Sequence, residues 1–138
     1  MRQHRLTTLL ALLLLAPLAA AQTYVGTMQV NDYTRKDVEV RLGASPQGQT
    51  VLQMLNVKFA RMMPVKVDVD IPGVSLGNGR LAGDNIVPTS KGKPYEKYLV
   101  TRLDGSADSE KITFRCLMGD KQIKFSGRRA KKNNTKNQ

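Results

Sequence analysis

The chain has 138 residues, and 22 basic residues stand against 11 acids, with one histidine, one cysteine and no tryptophan. A single cysteine excludes an internal disulfide and ordinary zinc sites, and a single histidine, His4, leaves everything after it without the commonest general base. The length suits one domain with a genuine core and excludes two.

Arg2, His4 and Arg5 precede a leucine-rich stretch that ends at Ala19-Ala20-Ala21. A basic start, an apolar middle and a small-residue boundary are the marks of a secretory signal peptide, here residues 1-21. The uncharged run from Leu6 to Ala21 is 16 residues, fewer than the roughly 20 that cross a bilayer as a helix. The expectation is export to the periplasm or the cell exterior, with no transmembrane segment after cleavage. The remaining 117 residues carry 20 basic groups against 11 acids, and no acylatable cysteine stands at the boundary.

Period-two alternation then recurs along the chain, as in strands with one buried face. "TYVGTMQV" reads as a first strand. Val38, Val40 and Leu42 alternate with Asp37, Glu39 and Arg41; Val65, Val67, Val69 and Ile71 with Lys66, Asp68 and Asp70; Ile112, Phe114, Cys116 and Met118 with Lys111, Thr113 and Arg115. "KYLVTRLDG" reads as another strand, and "KQIKFSG" pairs back on "ITFRCLMGD" through a two-residue turn at Gly119-Asp120. "VLQMLNVKFARMM" is ambiguous, since Leu52, Leu55, Phe59 and Met62 keep helical spacing while Leu55, Val57 and Phe59 alternate. Its strand neighbours favour a strand. Glycines and prolines punctuate the rest, so the expected fold is an all-β antiparallel sandwich or barrel.

The opening "YVGTMQV", the central "LNVKFARMMPVKVDVDIPGV", the "GDNIVP" segment and the closing "ITFRCLMGDKQIKFSG" together resemble the calycin-like, lipocalin-like β-barrel proteins exported by Bacteroidetes. The resemblance covers residues 24 to 127. It implies an up-and-down antiparallel barrel of about eight strands, closed between the first and last, and able to hold a small apolar ligand. Lipocalins proper carry Gly-x-Trp on the first strand; here Gly26-Thr27 is followed by Met28. The domain reading is a signal peptide at 1-21, a barrel at 22-127 and a basic, disordered tail at 128-138.

Chemistry on offer is sparse. Asp68 and Asp70 project from one face of their strand with Lys66, but calcium would need several further oxygens, and glycoside hydrolysis would need a partner that raises one carboxyl pKa. The row reads as a solvated barrel exterior that also discourages edge pairing. Cys116 shares the apolar face of its strand and reads as a structural thiol. "SKGK", Ser90 to Lys93, has the Ser-x-x-Lys spacing of penicillin-recognising enzymes, but Gly92 and Pro94 make it a loop where that chemistry requires a helical turn.

Function is therefore sought on the inward set: Val38, Val40, Leu42, Leu55, Val57, Phe59, Val67, Val69, Ile71, Phe114 and Phe125. The reading is a non-enzymatic barrel that binds a small apolar or amphipathic molecule or lipid, with Phe59, Met62, Met63, Val67, Val69 and Phe114 as ligand contacts and no catalytic residue, metal or cofactor. The alternative is a protein-interaction or inhibitor module with a filled barrel, and more distantly a carboxylate-only hydrolase. In the tail, Arg128, Arg129, Lys131 and Lys132 are candidates for contact with an anionic surface, the other reading being a solubilising terminus. Nucleic acid is not expected as a partner of an exported chain that lacks an aromatic stripe.

Overall fold

The computed structural model describes residues 18-130, which form one antiparallel sheet of eleven strands. The strands are β1 (Ala19–Val30), β2 (Tyr33–Ala44), β3 (Thr50–Val57), β4 (Val67–Pro72), β5 (Ser75–Gly77), β6 (Arg80–Gly83), β7 (Thr89–Ser90), β8 (Lys93–Pro94), β9 (Val100–Ala107), β10 (Lys111–Met118) and β11 (Lys121–Arg129), with a short 3-10 turn at Glu96–Tyr98. Their order across the sheet is β5-β6-β9-β10-β11-β1-β2-β3-β4-β7-β8. The first and last strands pair at the centre, from Tyr24↔Arg129 to Val30↔Ile123.

The sheet is curled, and its connections show why. β4 lies near one edge and β5 forms the other, yet only Gly73 and Val74 separate them. Three Cα steps span at most about 11 Å, so the two margins must approach each other. The amides of Gly73 and Val74 both reach the Thr50 carbonyl, at 2.9 and 3.2 Å, which folds this turn back on β3. The architecture is thus a half-barrel with a seam, and strand pairing does not close it: β5 and β8 remain edges. Eleven strands also exceed the expected eight, because the segment between β4 and β9 breaks into short hairpins.

Curvature has a repeated local source. At four places one strand carries an extra residue against its neighbour, and a non-glycine residue at positive φ lies at each: Ala20 (+50°), Asp37 (+59°), Asn56 (+52°) and Arg102 (+54°). Bulges bend a strand and increase its twist, which a sheet needs in order to wrap. Two bulge amides are held by aspartates from neighbouring segments. Asn56 N–H donates to Asp68 Oδ1 at 2.8 Å, and Arg102 N–H donates to Asp84 Oδ1 at 3.1 Å.

Inside the curl lies one apolar core, with Tyr24, Met28, Leu52, Met54, Ile71, Leu81, Ile112, Met118 and Ile123 among its fully buried members. Gly26 and Gly127 face each other across β1 and β11, and a Cβ at Gly26 would fall 2.0 Å from the Ser126 carbonyl oxygen. The Phe125 ring lies against Gly127, and Phe114, stacked on it with centroids 5.5 Å apart, lies against Gly105 of β9.

Alternation locates most of this core, with instructive exceptions. β3 is a strand, but the bulge at Asn56 breaks its period, so Leu52, Met54 and Val57 turn inward and Leu55 is only half-buried. Phe59 lies beyond β3 in the loop to β4, and Val65 is 59% exposed there. β11 runs through Arg128 and Arg129, so both belong to the sheet and not to a tail. β1 begins at Ala19, inside the expected signal, although its regular ladder on β2 starts at Gln22↔Leu42. Residues 1-17 of that signal, and the tail residues Lys131 and Lys132, lie outside the described residues.

Candidate functional site

The loop from β3 to β4 is built as a fixed lip. Met63 N–H donates to the Ala60 carbonyl at 3.1 Å, and Phe59 N–H donates to the Met63 sulfur at 3.3 Å, closing residues 59-63 into a turn. Arg61 lies over the Tyr33 ring, 5.6 Å from its centroid, which anchors the outside of the turn on the start of β2. Phe59 then points inward and stacks on Tyr98 at 6.4 Å.

Opposite this lip stands the β7–β8 hairpin. Ser90 pairs with Lys93 across Lys91 and Gly92, both at positive φ, so the Ser-x-x-Lys spacing falls on a tight hairpin and Ser90 Oγ donates to the Asp68 carbonyl at 2.6 Å. Tyr95 N–H donates to the Pro88 carbonyl, and the 3-10 turn follows and presents Tyr98.

Between lip and hairpin lies a cavity of about 120 Å³ lined by Phe59, Met63, Val67, Val69, Pro88, Ser90, Tyr95, Tyr98 and Met118. Most of this lining is apolar, with the Ser90 and tyrosine hydroxyls as its polar groups. Around it the surface is oily too: Met62 is 90%, Val65 59% and Tyr95 44% exposed. Four of the expected ligand contacts, Phe59, Met63, Val67 and Val69, therefore meet in one place. Met62 turns outward beside them. Phe114 does not take part, since it is packed on Phe125 deep in the core. Tyr95, Tyr98, Pro88 and Met118 were not legible as partners, because they arrive from segments about 20 to 60 residues further on.

The titratable groups explain themselves structurally. Burial pushes the Cys116 thiol up to about 12, so at neutral pH it is a protonated core group. Asp70, half-buried and paired with Gln53 across β3 and β4, has its carboxyl raised by burial, against a hydrogen bond from Gln53 that lowers it. Asp108 is held below the usual carboxylate range by the backbone amides of Glu110 and Lys111, at 2.8 and 2.9 Å. Burial raises the Tyr24 phenol, with nearby Arg129 opposing, and its hydroxyl oxygen lies 2.8 Å from the Asp108 carbonyl. The charged row thus divides: on β4, Asp68 holds a bulge amide and Asp70 is wedged beside Gln53, while Lys66, just before the strand, is in solvent.

Among the described residues, no three His, Cys, Asp or Glu side chains converge on one point, and no helix is long and apolar enough to cross a membrane. No family model matches the chain, and neither does any curated protein or solved structure.

Proposed function

We propose that this chain is an exported, non-enzymatic, calycin-like barrel protein that binds a small amphipathic molecule by its apolar end, at the lip between the β3–β4 loop and the β7–β8 hairpin. The observation that carries this reading is the coincidence of an apolar cavity with an exposed apolar rim at the lip. Eight of the eleven strands have four or more residues, and the first pairs with the last, which supports the calycin-like assignment.

Size limits what can enter. A cavity of about 150 Å³ takes a benzene ring, so about 120 Å³ accepts a short alkyl end and not a whole lipid. Burying three or four methylenes contributes about 3 kcal/mol at roughly 0.8 kcal/mol each, which alone corresponds to no better than millimolar affinity. Contact with Met62, Val65 and Tyr95 must supply the rest, and methionine suits such an adaptable rim.

The test is titration of the full chain with octanoate, followed by calorimetry. Val67→Asp places a carboxylate on the half-buried wall and is expected to abolish binding, whereas Leu76→Asp, exposed on edge strand β5, is expected to leave it unchanged. Equal loss in both variants, or undiminished binding in Val67→Asp, would remove the lip as the site.

A further inference from the structure

The outer face of β9, β10, β11 and β1 carries an ordered pattern that the lip does not use. On it, Ser106, Thr113, Ser126 and Thr27 follow one another across the four strands as direct cross-strand partners, and all four are exposed. Arg115 is paired with Lys124 on one side of this hydroxyl row, and Lys111 with Arg128 on the other. Partners on adjacent strands are about 5 Å apart, and the two basic pairs are separated by four residues, about 13 Å along the strands.

Like charges placed directly opposite each other in a sheet destabilise it. Two such pairs on one face are therefore a cost within the chain itself. Arg102, on its bulge, joins Arg115 and Lys124 beside a groove of about 570 Å³, and a second groove of about 500 Å³ runs past Thr27, Gln29, Thr113, Lys124 and Ser126. Asp104, directly opposite Arg115 on β9 and on the wall of both grooves, is engaged by Arg80 at 3.1 Å; Glu39, two strands from Arg128, is held by Arg41 at 2.9 Å.

We infer that this face binds a linear acidic polysaccharide, with the two basic pairs gripping successive carboxylate or sulfate groups and the hydroxyl row meeting the sugar between them. Side-by-side cations match repeated anions on a chain, and hydroxyl and amide side chains match sugar hydroxyls. Nucleic acid fits less well, because the aromatic rings next to the groove, Phe114 and Phe125, are buried and stacked on each other and so offer no platform to bases. A bilayer would touch side-chain tips and leave the grooves unfilled.

Heparin, polygalacturonate, neutral dextran, phosphatidylglycerol vesicles and single-stranded DNA are the probes, each applied to the full chain near physiological salt. The variants R115Q/K124Q and K111Q/R128Q are each expected to weaken heparin and polygalacturonate binding by about thirtyfold, the factor that corresponds to about 1 kcal/mol for each of two basic groups. K91Q/K93Q removes the same charge from the exposed β7–β8 hairpin and is expected to change affinity less than twofold. Each face variant relieves a repulsion but also removes an attraction, of Arg115 to Asp104 or of Lys111 to Asp108; if one melts lower than the parent, K124Q and R128Q singly carry the same comparison. Equal loss in K91Q/K93Q, equal binding of dextran, or tighter binding of vesicles or DNA than of either polysaccharide would overturn the inference.

Discussion

Asp68 and Asp108 do the same kind of work with different neighbours, each accepting from backbone amides that leave the regular ladder. Asp68 takes the Asn56 amide at the β3 bulge, and Arg35 Nη1 donates to the Asn56 carbonyl at 2.7 Å, so both polar groups of that bulge residue are satisfied by side chains. Asp68→Ala is expected to lower stability by about 1 kcal/mol, read as a reduced urea midpoint with unchanged slope. Alternation along β4 correctly placed this residue outside. It could not reveal the bulge, because the signal is on another strand.

The two perturbed carboxyls predict opposite limbs in the dependence of stability on pH. Asp108 is depressed in the folded state, so its contribution is full above the ordinary value of 3.8 and is lost as pH falls through the lower folded value. Asp70 is raised, so its ionisation opposes folding, and stability is gained as pH falls through that raised value towards 3.8. Asp70→Asn is expected to stabilise the protein at neutral pH and to erase the gain between those two values. Asp108→Ala is expected to flatten the loss below 3.8. Denaturant midpoints across the acid range check both.

For the strands, period two was sufficient wherever no bulge intervened. Val38, Val40 and Leu42 on β2, and Ile112 through Met118 on β10, were legible in full, as was the Gly119 turn, with φ of +61°. β3 was legible as a strand and Val57 rightly read inward, but Leu55 was misread, because Asn56 inserts a residue and shifts the period there. Asparagine tolerates the left-handed region, which is a weak cue; Arg102 in the same conformation offered none. Asn56→Val should therefore lose about 1 to 2 kcal/mol for its backbone conformation, whereas Asn56→Gly should keep the fold at least as stable. Thermal melts of the two variants separate this from any effect of the side chain.

Across the whole molecule, the sheet wraps one apolar core, and the proposed site is where that core opens at the lip. The sequence could nominate Phe59, Met63, Val67 and Val69 because they lie within one apolar stretch. It could not bring Tyr95, Tyr98 and Met118 to them, since that meeting depends on how the sheet curls and on where the short hairpins fall. Phe114 lies away from the lip for a local reason: Gly105 and Gly127 leave room in the sheet that its stack with Phe125 fills. Phe125→Ala should cost about 3 to 5 kcal/mol, as expected of a large ring removed from a close-packed interior.

Methionines report on both regions at once, with Met28 and Met54 in the deep core, Met118 and Met63 in the wall of the cavity, and Met62 on its rim. The most direct measurement is a methyl NMR titration of the methionine-labelled protein with octanoate. Movement of the Met62, Met63 and Met118 signals, with Met28 and Met54 unmoved, is the predicted result. Movement of Met28 and Met54 would mean that the interior is hollow, and no movement of Met63 or Met118 would mean that the lip is not the site.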